Sequence, residues 1–246
     1  MLDIKDLKVS VEGKQILNGV NLHIGSSETH VIMGKNGSGK SSLLNTIVKN
    51  PKYEIIGGDI SFLGESILEK SVCDVARAGI FLSFQSAPAI SGLSISNLLK
   101  NAVNSVRKAR GEKPLTAPEY FKLAKEYCEL LEIPNEWLKR QVNLGFSGGE
   151  KKKLSMLEML FLKPKFALLD EPDSGVDVDA VNIIARAIDY LKQFGVSFII
   201  VSHYEKLISL SKPNFVHVMQ DGVVVQNGDI TLAEKVIKQG FCDDEK

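Results

Sequence analysis

The sequence predicts an α/β fold: a mostly parallel core sheet with a helical lobe inserted between residues 86 and 145. Three observations carry this expectation. Short apolar runs of strand length alternate with helical patterns, which is how parallel βαβ units read. A glycine-rich turn, Gly34–Ser41, joins one such run to the helix after it. From about residue 86 the chain changes character, and two amphipathic helices follow in succession.

Residues 2–33 read as strands, with turns at Glu12-Gly13-Lys14 and Gly25-Ser26. His30-Val31-Ile32-Met33 is apolar enough for a strand buried on both faces. The next segment puts Leu43, Leu44 and Ile47 on one helical face, and Asn50-Pro51 stops it. A second β segment covers about 53–63. In the lobe, 93–108 and 118–131 read as helices, separated by the polar stretch Arg110–Pro114. The alternation resumes with a strand at 166–170, a helix at 177–193 and a strand at 197–201. Short strands follow near 215–219 and 223–227. One domain over 1–246 accommodates all of this, with 1–85 and 146–246 as its α/β core and 86–145 as its helical subdomain. The charged end, Asp243–Lys246, is expected to fray.

A chain of 246 residues buries a substantial core, and 44% apolar with 24% charged residues is ordinary for a globular protein. Acidic and basic residues balance at 30 each, so there is no general footprint for nucleic acid or an anionic membrane. The three cysteines, Cys73, Cys128 and Cys242, lack disulfide or zinc spacing and read as reduced thiols. No apolar run reaches the ~18–20 residues of a membrane helix. The N-terminal residues do not read as a signal or transit peptide. The expected location is cytoplasmic.

Gly34-Lys35-Asn36-Gly37-Ser38-Gly39-Lys40-Ser41 fits G-x-x-x-x-G-K-[ST], with a strand before it and a helix after. Glycines let successive N–H groups turn toward phosphate oxygens, and the helix start adds its positive end. Lys40 would supply a cation to the β- and γ-phosphates of a nucleotide. Ser41 offers a hydroxyl to Mg2+, a hard cation that prefers oxygen. Ser42 follows on the same turn.

Phe166–Asp170 is an apolar strand ending in an acid, and a second acid, Glu171, follows it. A charged turn after a buried strand would read the same way, but strand ends in open α/β sheets are where ligands bind. With the phosphate loop upstream, Asp170 is expected to orient Mg2+, directly or through water. Glu171, one residue further out, is expected to polarise a water at the γ-phosphate.

Phe146-Ser147-Gly148-Gly149-Glu150 opens a further helix. Ser147 and Glu150 form a capping-box pattern. Two glycines at the helix start cost about 1 kcal/mol each relative to alanine, but expose N–H groups as a second anion site.

At this point the sequence resembles the ABC ATPase family. The resemblance runs along nearly the whole chain, in the family's order. Gly34–Ser41 matches Walker A, Phe166–Glu171 matches Walker B, and 146–150 match the Leu-Ser-Gly-Gly-Gln signature with Phe146 for Leu and Glu150 for Gln. Gln85, in Phe84-Gln85-Ser86, stands where the Q-loop glutamine approaches Mg2+. Ser174-Gly175-Val176-Asp177 resembles the D-loop, and His203 the switch histidine that contacts the γ-phosphate. The resemblance implies an ABC-ATPase fold with an N-terminal antiparallel β subdomain. It also implies ATP hydrolysis in a two-fold, head-to-tail dimer. In such a dimer Ser147, Gly148, Gly149, Glu150 and Asp177 of one copy cover the ATP held by residues 34–42 and Gln85 of the other. Ser41, Gln85 and Asp170 would be the metal residues, and Lys40, Glu171 and His203 the catalytic ones. Val11 stands where the family usually stacks an aromatic on adenine.

Finer resemblance points to the ATPases of the SUF iron–sulfur cluster assembly system. It rests on Tyr53–Gly58, Phe146–Lys153, Asp170–Gly175, Val201–Tyr204 and Pro213–Val218. This implies SufB- and SufD-like scaffold proteins as partners, with segment 86–98 and its Ile90, Leu93 and Ile95 as the expected contact. The alternative is the nucleotide-binding subunit of a membrane transporter. A chromosome-maintenance ATPase would need long coiled coils that the interval before the signature lacks. Lys151-Lys152-Lys153 reads either as a solvated helix face or as the source of a lysine that restrains Glu171 when ATP is absent.

Overall fold

The computed structural model describes residues 1–85 and 87–241. Ser86, Cys242 and the tail 243–246, with the expectation that the tail frays, lie outside the described residues.

Two sheets organise the chain. The first is antiparallel, ordered β2 (Lys14–Ile24), β1 (Leu2–Val11), β4 (Glu54–Phe62), β5 (Glu65–Ser66). The second has six strands, ordered β12 (Val223–Gly228), β11 (Phe215–Gln220), β3 (Thr29–Met33), β10 (Ser197–Val201), β9 (Phe166–Asp170), β6 (Ile80–Ser83). Its pairs from β11 to β6 are parallel, and only β12 joins antiparallel.

The continuous apolar runs have a geometric cause. Successive side chains of a strand point to opposite faces. Ala167, Leu169, Phe198 and Ile200 enter one core with the long helices. Phe166, Leu168, Ile199 and Val201 enter the other, shared with the antiparallel sheet and Leu43, Leu44 and Ile47 of α1 (Lys40–Ile47). A sheet buried on both faces leaves few polar positions within its strands.

The lobe holds α3 (Ile95–Ala109), α4 (Ala117–Leu130), a 3-10 turn at Asn135–Lys139, and a strand pair, β7 (Ile90–Ser94) with β8 (Gln141–Val142). The first helix expected in the lobe therefore starts later than residue 93. Ser94 is its N-cap and accepts from the Asn97 N–H at 3.2 Å, while Leu93 stays in β7. Thr116 and Glu119 close a capping box that starts α4. The expected partner segment is only partly available. Ile95 is fully buried and Leu93 packs against the core, leaving Ile90 exposed at 41%.

Five further elements complete the fold. They are α2 (Val72–Ala78), α5 (Gly148–Leu162), α6 (Val178–Lys192), α7 (Glu205–Ser211) and α8 (Ile230–Gln239). Among the described residues no helix is long and apolar enough to cross a membrane.

Candidate nucleotide site

β3 delivers the chain from the sheet interior into the glycine-rich turn. A Cβ on Gly34 would lie 2.2 Å from the Met219 carbonyl oxygen and 2.7 Å from Ser38 Oγ, so only glycine fits. Lys35, Asn36 and Gly37 form the exposed rim, and Ser38, Gly39 and Lys40 are buried. The Lys40 ammonium curls back over the loop and donates to the carbonyls of Gly34 (2.5 Å) and Lys35 (3.0 Å). Burial pushes its pKa below the usual lysine range, opposed by the Glu171 and Asp170 charges. Ser38 Oγ is buried with no hydrogen-bond partner among the described residues. A concave loop with an inward cation and an orphaned hydroxyl fits a phosphate group.

Ser41 Oγ donates to Asp170 Oδ1 at 3.0 Å, so the loop hydroxyl and the strand-end acid meet. Ser42 is half-buried on the next turn position, its carbonyl accepting from Thr46 Oγ1. Asp170 is buried, which raises its pKa, while the Ser41 hydrogen bond counteracts this. A hydroxyl and a carboxylate at this distance are the oxygen donors that Mg2+ takes.

Glu171 adopts a left-handed backbone, φ 46°, a conformation that costs roughly 1–2 kcal/mol for a residue with a Cβ. Its N–H donates to the Val201 carbonyl at 3.0 Å. Its carboxylate accepts from Gln85 Nε2 at 2.6 Å. In this arrangement Gln85 is engaged with the acid, whereas the sequence placed it toward Mg2+. Lys152 Nζ donates to the main-chain carbonyls of Gln85 (3.3 Å) and Glu171 (3.0 Å). This corrects the reading of Lys151-Lys152-Lys153 as a solvated run for its central member, since Lys152 is buried. It also relocates the expected restraint: the lysine holds the backbone of Glu171, and Gln85 holds the carboxylate.

His203 follows β10. Its ring stands edge-on to Phe241, centroids 5.7 Å apart. Desolvation, then the Lys40 charge, lowers its pKa, so the ring is neutral near pH 7.

The signature residues lie elsewhere on the surface. Ser147 caps α5, its N–H donates to Glu150 Oε2 at 2.7 Å, and Arg140 pairs with Glu150 at 3.1 Å. The Arg140 guanidinium also sits 3.9 Å from the centroid of the Phe146 ring, which fixes the loop before the helix. Gly148, Gly149 and the 175–177 turn line one cavity with Ser147 and Glu150. No residue of the phosphate loop lines it. Asp177 caps α6, accepting from the Ala180 N–H at 2.8 Å. Val11 ends β1 half-buried, opposite Lys14.

Lys40, Ser41, Asp170, Glu171 and Gln85 are thus brought together. The signature and Asp177 are brought together in a second place. Sequence reasoning missed the Gln85–Glu171 bond, Arg140 and Phe241, and it did not single out Lys152 from its run or place it on the main-chain carbonyls. None had a local signal, because each contact joins separate elements of the fold or a loop to the element after it.

Residues 17–174 match the family model described as ABC transporter. The chain is 44% identical over 241 residues to the probable ATP-dependent transporter SufC of Escherichia coli K12, covering 98% of this chain and 97% of that one. It is 41% identical to the iron–sulfur cluster assembly protein SufC of Plasmodium falciparum, covering 98% of this chain and 70% of that one. Among solved structures, a dimeric bacterial ABC transporter cassette superposes with a TM-score of 0.79 at 20% identity, over 94% of this chain and 99% of that one. An arrangement of phosphate loop, acidic strand end and signature helix on this fold, with these relatives, means that the chain belongs to the ABC ATPase family.

Proposed function

We propose that this chain hydrolyses ATP between two copies of itself and uses the closure to move a SufB/SufD-like scaffold during iron–sulfur cluster assembly in the cytoplasm. The observation that carries the dimer is the separation of the two half-sites. One surface holds the phosphate loop and Glu171. Another cavity, lined by Ser147–Glu150 and Gly175–Asp177, presents helix-start N–H groups and no phosphate loop of its own. A head-to-tail pair brings each half to the other.

Residues 34–42 would cradle the triphosphate, with Lys40 drawn from its carbonyl acceptors to the β- and γ-phosphates. Ser41 and Asp170, with Gln85 once released from Glu171, would hold Mg2+, which supplies charge neutralisation on the phosphates when bound. Glu171 would leave its left-handed, Gln85-bound state to orient and polarise the attacking water. Neutral His203 would donate to the γ-phosphate. Ser147, Gly148, Gly149, Glu150 and Asp177 of the second copy would close the site from above and exclude water.

The iron–sulfur assignment is supported by the relative in Plasmodium falciparum whose name states that role. The transporter reading is supported by the wording of the Escherichia coli relative's name. Co-expression of a tagged chain with SufB- and SufD-like proteins, and separately with candidate permeases, discriminates the two. Stable co-purification with the soluble scaffold, and loss of cluster assembly in the Glu171→Gln strain, support the first. A multi-span permease as the stoichiometric partner would replace it with the second.

A further inference from the structure

The cavity that the signature lines, about 410 Å3, sets two demands against each other. It offers the N–H groups at the start of α5 to an anion, yet Glu150 stands at the third position of that helix and on the cavity wall. The Ser147 N–H, at 2.7 Å, and after it Arg140 hold the Glu150 carboxyl below the usual glutamate range, so it is charged at neutral pH. A glutamine would complete the same capping box without a charge. An uncompensated carboxylate here repels any triphosphate brought up to the same N–H groups.

Arg140 answers that charge. Its Nη1 lies 3.1 Å from Glu150 Oε1, while the other carboxylate oxygen accepts from Ser147. The guanidinium carbon is 3.9 Å from the centroid of the Phe146 ring and 5.5 Å from that of Trp137. The main chain of Arg140 is tied on both sides. Its N–H donates to the Trp137 carbonyl at 2.8 Å, and its carbonyl accepts from the Ile95 N–H at 2.9 Å. The two side chains of the pair are 37% and 31% exposed, and ion pairs this open to water add little to stability. The other carboxylates of the cavity are Glu132, Asp177 and Asp179. Arg186 pairs with Glu132, Asp177 caps α6, and Asp179 lies in the first turn of α6. Lys153 adds a positive charge to the wall. Of the four acids, Glu150 alone belongs to the helix whose N–H groups face the anion.

We propose that Arg140 is a positioning residue for ATP hydrolysis: it cancels the charge of Glu150, so that the signature can close on the triphosphate held by the second copy. This rests on reading the site as shared between two copies. The acid gives the stronger cap, because a carboxylate at a helix start also meets the positive end of the helix dipole. The arginine removes the repulsion that this acid would otherwise bring. Arg140 acts through Glu150 and needs no contact with the nucleotide.

The test follows ATP-driven dimerisation of the full chain by sedimentation at saturating MgATP, in the Glu171→Gln background. Arg140→Gln is expected to weaken the dimer by about tenfold or more at low salt, through like-charge repulsion. Affinity of the monomer for a fluorescent ATP analogue is expected to stay the same, which also shows that the variant folds. Adding Glu150→Gln to Arg140→Gln is expected to restore the dimer, because glutamine keeps the cap and removes the charge. Raising NaCl from about 50 to about 500 mM should likewise narrow the gap between Arg140→Gln and its parent, since salt screens repulsion. Arg140→Lys, which keeps the charge, is expected to dimerise like the parent. An Arg140→Gln chain that dimerises like the parent would overturn the proposal. So would an Arg140→Lys chain as defective as Arg140→Gln, or a defect that neither Glu150→Gln nor salt relieves, since the arginine would then act by direct contact or by shape. A parent that stays monomeric with ATP bound would overturn the two-copy reading itself, and this inference with it.

Discussion

Replacing Glu158 by glutamine is expected to stabilise the free protein, and to do so more at alkaline than at acid pH. Glu158 lies on α5, and desolvation pushes its carboxyl up to about 7, against 4.5 for an ordinary glutamate. A raised folded pKa means that the native state binds the proton more tightly. The stability it contributes is fully present below pH ~4.5 and is lost as pH rises through ~7. The full shift, at 1.36 kcal/mol per unit, corresponds to about 3 kcal/mol. Integrated between pH ~5.5 and ~8.5, the stability of wild type relative to Glu158→Gln should fall by about 2 kcal/mol. For a chain of this size that is a relative displacement of the melting midpoint of roughly 4–8 °C. Thermal unfolding of both proteins across this range, monitored by circular dichroism without nucleotide, is the assay. A difference between the two that stays constant with pH would refute the argument, because it would mean that the carboxyl is solvated and titrates normally.

Lys152→Met removes the ammonium that ties the carbonyls of Gln85 and Glu171. Basal hydrolysis is expected to rise, by up to about tenfold if ~1.4 kcal/mol of restraint on Glu171 is released, and an unchanged rate in a folded variant would count against the restraint. Gly34→Ala places a Cβ against the Met219 carbonyl at 2.2 Å, so nucleotide binding should be lost, as checked by calorimetry with ATP. Retained ATP affinity would show that the loop shifts to admit the methyl group.

The sequence predicted the core strands closely because their signal is local. Phe166–Asp170 and Ser197–Val201 are apolar at every position except Ser197 and Asp170, and both are buried on both faces of the sheet. The phosphate loop was equally legible, since its residues are contiguous and their types follow from the phosphate chemistry. The short α2 and α7 gave no amphipathic period to read, although Ser71 and Asp74 form a capping box at the start of α2. β7 escaped notice because Ile90-Ser91-Gly92-Leu93-Ser94 is short, mostly exposed and paired only with residues some fifty positions away. Glu171 illustrates the limit best. Its type and position were evident, but its left-handed backbone and its bond to Gln85 arise from packing between β6, β9 and α5. The lysine run was legible only as two alternatives, a solvated face or a lysine restraining Glu171: helix periodicity separates Lys152 from its neighbours, and only the fold shows that this position meets the carbonyls of Gln85 and Glu171.

The central claim is that hydrolysis occurs between two copies, with Glu171 acting on the water and Lys40 holding the phosphates. Sedimentation of Glu171→Gln at saturating MgATP tests it most directly, with Lys40→Ala and wild type plus ADP as controls. The account predicts a stable dimer for Glu171→Gln with ATP, near-zero turnover in the same sample, and monomers in both controls. A Glu171→Gln protein that stays monomeric with bound ATP, or that turns ATP over at the wild-type rate, would contradict it.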